Sequence, residues 1–191
     1  ASSAATYGNS PAPNIVGKNE FPTNIYGESK LELDKLTYEY IKKYPKLKII
    51  GLRYFNVYGP GESNKGKMAS MIFQLYNQLK NNENPKIFKY GEQKRDFVYI
   101  KDIIKANVKS TIYGKSGIYN VGYGVGRTFN DVVNILKNKL NSTKDIKYID
   151  NPYDFYQNFT EAKLENTFNF KPDYSLEKGI NDYILFLESL N

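Results

Sequence analysis

The chain has 191 residues, the length of one ordinary domain or of two small lobes sharing a core, and 40% of them are hydrophobic, enough to form one. It has no Cys and no His, which excludes disulfides, thiolate or imidazole metal sites and His-based triads, so no metal is expected and acid–base work falls to Tyr, Lys, Asp or Glu. The formal charge of +7 comes from scattered lysines and only three arginines, Arg53, Arg95 and Arg127, which reads as a solvated basic surface rather than a nucleic-acid stripe.

Residues 1–5 are small and read as the end of a strand whose start lies upstream. A loop bearing Pro, Gly and Asn follows over 9–22. A helical pattern then spans about 24–44, with Leu31, Leu33, Leu36, Tyr40 and Ile41 available for burial. Residues 48–53 are a short apolar run of the kind found in buried parallel strands, and Gly59, Pro60 and Gly61 force a loop after it. A second helix is expected over 68–80, with Ile72, Leu75 and Leu79 on one face. Two short strands are expected at 85–90 and 95–100, and Asp102 is placed to cap the helix that follows. A strand over 118–121 precedes a capping-box pattern, Thr128 with Asp131, that opens a helix to about 140. Residues 146–150 are strand-like, and 175–190 carry Leu176, Ile180, Tyr183, Ile184 and Leu187 at helical spacing. Alternating strands and helices make the class α/β.

Gly122, Gly124 and Gly126 invite a phosphate-loop reading. The Gly-x-Gly-x-x-Gly pattern fails there, because Arg127 holds the place of its final glycine, and the run reads as a strand-to-helix turn.

A Tyr with Lys four residues later puts a phenol and an ammonium on one helix face, and a cation beside a phenol favours its anion. Such a phenol can take the proton of a sugar hydroxyl while a hydride leaves the same carbon. The spacing alone is weak evidence, since it occurs six times: Tyr26/Lys30, Tyr38/Lys42, Tyr44/Lys48, Tyr76/Lys80, Tyr90/Lys94 and Tyr174/Lys178. Context selects Tyr26 and Lys30. They stand between Ala-Ser-Ser-Ala-Ala-Thr-Tyr-Gly at the start and Arg-Tyr-Phe-Asn-Val-Tyr-Gly-Pro from Arg53, with Lys-Arg-Asp-Phe-Val-Tyr from Lys94 further on.

In that order the four motifs resemble the extended short-chain dehydrogenase/reductases over essentially the whole chain. Lys65-Gly66-x-Met68-Ala69-Ser70 and Tyr156-Gln157-x-Phe159-Thr160 narrow the resemblance to the ADP-glyceromanno-heptose 6-epimerases. The resemblance implies the C-terminal part of a Rossmann-type doubly wound sheet over 1–58. A small α/β substrate-binding lobe would fill most of 59–191, with about 95–122 returning to the Rossmann domain.

It also implies a reaction centre of Tyr26 and Ser3, with Lys30 and Val57 on a nicotinamide cofactor, NADP with NAD as the alternative. Substrate contacts are implied for Asn56, for Phe88, Lys89, Tyr90 and Gly91, and for Arg95 and Tyr156. Lys67 and Gln74 stand where other members place Ser and His against the substrate. An epimerase meets the sugar oxygen in two positions, so a second acid–base group should face Tyr26, and the resemblance assigns that role to Lys65. The substrate would be ADP-heptose, and the full-length protein a homo-oligomer.

A Rossmann fold needs a Gly-rich turn after its first strand and an acidic or basic selector near the end of its second. Neither motif is present, so about three βαβ units are expected to precede Ala1 and to hold the pyrophosphate. The chain as it stands would then bind cofactor poorly and expose a sheet edge. No run reaches the roughly 18 apolar residues of a membrane span and no signal peptide is visible, so a cytoplasmic location with no membrane partner is expected. The competing expectations are another sugar-nucleotide epimerase or dehydratase, such as the UDP-galactose 4-epimerase branch, and an inactive fragment. A basic module stacking single-stranded nucleic acid on its aromatics is the rival from another class.

Overall fold

The computed structural model describes residues 1–152, 159–165 and 168–190. Strand β1 (Ser2–Ser3) stops where the Ser3 hydroxyl accepts from the Ala5 amide at 3.2 Å and caps a 3-10 turn over Ala4–Tyr7. The strand expected across the first five residues is therefore cut short by a local cap. Helix α1 (Ile25–Lys43) starts at Asn24, whose side chain accepts from Gly27 N at 2.8 Å, and ends with Lys42 and Lys43 favourably set against its dipole. Strands β2 (Ile50–Tyr54) and β3 (Asn56–Tyr58) follow, then a 3-10 segment over Ser63–Met68 and helix α2 (Met71–Lys80). Ile72, Leu75 and Leu79 of α2 are buried, as their spacing requires.

The remaining elements are β4 (Lys86–Phe88), β5 (Lys94–Tyr99), α3 (Ile100–Tyr113), β6 (Gly117–Val121), β7 (Gly126–Thr128), α4 (Phe129–Lys139), β8 (Lys147–Ile149) and α5 (Leu176–Glu188). The capping box before α4 forms in full: Thr128 Oγ1 accepts from Asp131 N, and Asp131 Oδ2 accepts from Thr128 N, both at 3.0 Å. Asp102 does not cap α3. The helix begins three residues earlier than that role needs, with Tyr99 at its N-cap, and the buried Asp102 carboxylate instead accepts from Asp173 N and Tyr174 N at 2.9 and 3.0 Å.

β1, β2 and β6 form one parallel sheet in that order, with β1 paired to β2 alone among the described residues. β3 runs parallel to β5 and β7 antiparallel to it, while β4 and β8 make a parallel pair. Two hydrophobic cores result. One gathers α2, α4 and α5 around Leu75, Val132, Leu136 and Ile180; the other joins Tyr7, Leu52, Phe55, Ala106 and Val121 around the first sheet. β5 serves both, because strand alternation sends Phe97 and Tyr99 to the first core and Val98 to the second.

Helix α1 departs from expectation. Leu33, Leu36 and Tyr40 are exposed, Leu36 by 47%, while the buried residues of the helix are Gly27 and Asp34. The fully buried contacts of the helix are thus a carboxylate and a glycine; Leu31 and Ile41 are half-buried beside them, and Leu33, Leu36 and Tyr40 face away. No helix among the described residues is long and apolar enough to cross a membrane.

Candidate active site

Arg53, in the middle strand of the first sheet, is almost wholly buried and holds α1 in place. Its Nε donates to Asp34 Oδ2 at 2.7 Å, its Nη1 donates to Glu20, and its guanidinium lies 5.0 Å from the centre of the Tyr7 ring. The Tyr7 hydroxyl continues the network to Asn120 Oδ1 at 2.7 Å. Burial alone would lower the Arg53 pKa, but the bond to Glu20 and the Asp34 charge outweigh it and hold the guanidinium ionised.

The first turn of α1 is pressed onto the turn after β1. A Cβ on Gly27 would lie 2.6 Å from the Ala5 carbonyl oxygen, so only glycine allows this approach. The approach brings the first turn of the helix, Tyr26 included, against the turn that follows Ser3, while Lys30 reaches back to Ala1, ahead of β1. Tyr26 is 56% exposed, with the Lys30 ammonium 5.6 Å from its ring centre and donating to the Ala1 carbonyl at 3.4 Å.

The chain leaves Arg53 through Phe55 into a cleft of about 330 Å³, lined by Asn56, Val57, Lys65, Met68, Ser70 and Phe97 among others. Met71 and Phe129 belong to this cleft and also to an adjoining slot of about 260 Å³, which contains Gln74, Phe88, Ile87, Ile149 and Gln93. Taken together as one trough with two shared walls, the cleft and the slot hold five of the expected residues: Asn56, Val57, Lys65, Gln74 and Phe88. Gln74 donates its amide to the carbonyls of Lys67 and Ala69, at 3.3 and 2.8 Å, while the Lys67 side chain is exposed.

Lys89 and Tyr90 sit at the trough's outer end. Lys89 Nζ pairs with Asp150 at 2.8 Å, and the Tyr90 ring packs 6.3 Å from that of Tyr148. Gly91 takes a left-handed φ of +73°, and its carbonyl accepts from Asn130 N, latching this turn to α4. Arg95 is buried beside the trough; its Nη1 donates to the Lys94 carbonyl at 2.9 Å and its guanidinium lies 5.8 Å from the Phe129 ring centre. Tyr156 lies outside the described residues.

Two acidic residues that are not among the expected site residues organise this region. Asp96 is fully buried, and its carboxylate accepts from Tyr123 N at 2.6 Å and from Gly124 N and Ala162 N, each at 2.9 Å. Burial pushes this carboxyl up to about 6, against the opposing pull of the three amides. Beside it, Thr160 Oγ1 accepts from Asp96 N at 3.2 Å and donates to Asn56 Oδ1 at 3.4 Å, tying the trough's Asn to the 159–162 segment. The glycine run does bind an anion, then, but the anion is the chain's own. Consecutive amides free to point the same way were the available signal. The second residue, Glu62, is buried at the base of the loop that carries Lys65.

A parallel sheet that presents a Ser at one strand end, with the next helix offering Tyr and Lys a turn apart, is the arrangement of the short-chain dehydrogenase/reductase class. The chain belongs to the NAD dependent epimerase/dehydratase family, whose family model matches residues 1–122. It is similar to the crystal structure of Helicobacter pylori ADP-L-glycero-D-manno-heptose-6-epimerase, with 46% identity and a TM-score of 0.89, covering 98% of this chain and 59% of that one. A UDP-N-acetylglucosamine 4-epimerase from Methanobrevibacter ruminantium matches at 31% identity and TM-score 0.92, over 100% of this chain and 62% of its own. A UDP-glucose 4-epimerase from Thermotoga maritima matches at 27% identity and TM-score 0.87, over 100% and 63%. The chain thus spans about three-fifths of the length of these relatives.

Proposed function

We propose that this chain carries the acid–base and sugar-binding part of an epimerase that converts ADP-D-glycero-manno-heptose to its L-glycero epimer by transient oxidation and re-reduction. The observation that carries the reading is the convergence of Asn56, Val57 and Lys65 on one cleft, continuous with the strand whose Arg53 anchors the Tyr26 helix. The donor set suits a nicotinamide cofactor. Tyr26 opens the helix that packs on the turn at the carboxyl end of β1, where open α/β sheets take such ligands, and Lys30 stands one turn further on. Lys30 would hold its ribose and Val57 its ring, with NADP preferred and NAD as the alternative; the chemistry it would supply there is reversible hydride transfer with the reacting carbon.

The protein's own groups handle the proton and the pose. Tyr26 takes the proton of the sugar hydroxyl in one epimer, aided by Ser3, and Lys65 serves the oxygen in the other epimer from across the cleft. Asn56, Arg95 and the 88–91 turn hold the nucleotide sugar. A UDP-hexose 4-epimerase is the competing reading, favoured by the likeness to the Methanobrevibacter ruminantium enzyme.

Mutation of the full-length protein tests the assignment. Tyr26→Phe is expected to lower turnover by about 10²–10⁴-fold. Lys65→Met is expected to impair oxidation of one heptose epimer far more than the other, and Tyr26→Phe to show the reverse bias. A Tyr26→Phe enzyme with parental turnover, or a higher kcat/KM on a UDP-hexose than on ADP-heptose, overturns the reading.

A further inference from the structure

The loop over residues 59–70 joins β3 to α2 and carries Lys65, yet it has almost no packing of its own. Every residue of its Ser63–Met68 segment is exposed. Its two ends instead meet on one carboxylate. Glu62 is 3% exposed; its Oε1 accepts from Gly59 N at 2.8 Å and its Oε2 from Ser70 N at 2.7 Å.

Both anchor points are fixed. Ser70 caps α2 by accepting from Phe73 N at 3.2 Å, so the carboxylate also sits at the positive end of that helix. Gly59, at φ +135°, is crowded against α3: a Cβ there would lie 2.5 Å from Ile100 Cγ2. Within the loop, the Glu62 carbonyl accepts from Lys65 N at 2.9 Å.

We propose that Glu62 is a positioning residue whose carboxylate, by bridging Gly59 and Ser70, sets where Lys65 stands over the cleft of Asn56. The proposal rests on the reading of Lys65 as the second acid–base group. A carboxylate is required because two amide donors need two acceptor oxygens at this separation. A Gln offers one acceptor and turns its NH₂ against the other donor, and an Asp is one methylene short. The hold on the loop is otherwise slight, consisting of the Gln74 amide at Lys67 O and Ala69 O.

The test is a double-mutant cycle in the full-length, cofactor-loaded enzyme, assayed with each ADP-heptose epimer. Glu62→Gln should lose at least about tenfold in kcat for the same epimer that Lys65→Met impairs, leaving the other epimer within a few-fold. The double variant should be no worse than Lys65→Met alone, because both act through one group. Ser70→Pro breaks the clasp from its other end: it removes the amide that Glu62 accepts from, at a φ of −57° that proline tolerates, and should give the same epimer bias, whereas Ser70→Ala, which removes only the hydroxyl cap on Phe73 N, should not. Equal loss on both epimers, or losses that multiply in the double variant, would mean a merely structural role and overturn the proposal. Lys65→Met impaired with Glu62→Gln and Ser70→Pro unbiased overturns the clasp alone. A parental Lys65→Met overturns the reading of Lys65 and the clasp together.

Discussion

Two glycine-bearing loops in this molecule are built on opposite plans. In the loop that carries Lys65, a Cβ placed on Gly61 or Gly66 meets nothing within 4 Å, and Glu62 holds the loop at its ends. In the 122–126 run, a Cβ on Gly122 would lie 2.6 Å from Asp96 Oδ2 and one on Gly126 would lie 2.4 Å from the Phe159 ring. The first loop is an arm that presents a side chain outward. The second is a receptacle filled by the chain itself. Glycine content is similar in the two, so what distinguishes them is the acid each loop closes on: Glu62 clasps the arm's base, while Asp96 occupies the receptacle.

The comparison breaks most readily at Asp96. Asp96→Ala strands one buried and two half-buried amides, and at about 1–3 kcal/mol for each unsatisfied group the expected loss is about 3–5 kcal/mol after partial relaxation. Urea unfolding measures it; a loss below about 1 kcal/mol would mean the receptacle does not depend on its anion.

Acidity offers a second handle. Burial raises the Asp96 carboxyl to about 6 from an ordinary 3.8, so the folded state binds its proton more tightly than the unfolded chain. Its contribution is therefore fully present below about pH 4 and is lost as pH rises through 6, by about 2–3 kcal/mol in all. Asp131, Asp173, Glu177 and Asp182 are all shifted down and act in the opposite sense, so the parent must be compared with Asp96→Asn. The stability gap in the parent's favour should widen from pH 7.5 to pH 4.5. A constant gap would remove Asp96 from the titration.

The finest discrimination uses the glycines themselves. Gly122→Ala drives a methyl into the receptacle and should cost about 1–3 kcal/mol. Gly66→Ala, in open space, meets no atom and should cost only the backbone strain of φ +53° with ψ −126°, about 1–3 kcal/mol. Going on from Ala to Leu should then lower the melting temperature further at 122 and not at 66; an equal further drop at both would erase the distinction between arm and receptacle.

Local rules read well from the sequence wherever their partners were also local. The Thr128–Asp131 capping box, the buried face of α2 and the apolar spacing of α5 all form between residues a turn or two apart. Tyr26 and Lys30 could be singled out because the motifs flanking them run in a fixed order, and Gly27 shows why that helix start cannot carry a side chain. The failures lie where a polar group reaches far along the chain. Asp102 has the look of a cap, but its partners are 71 and 72 residues away. Helix α1 has a plausible apolar face, yet Asp34 turns the opposite side inward to meet Arg53, 19 residues on. Asp96 finds its amides 27, 28 and 66 residues downstream. No periodicity encodes such pairings.

Strand β5 has a mechanical consequence. Its Phe97 and Tyr99 are locked into one core while Val98, between them, is locked into the other. A swivel of either half about the other would have to extract side chains from both faces of a single short strand. The two halves are therefore riveted rather than hinged, and they should melt in one transition. Any change in the trough's shape is therefore expected from the exposed arm over residues 63–68, which supplies Lys65 and Met68 to its lining, and not from an opening of the body.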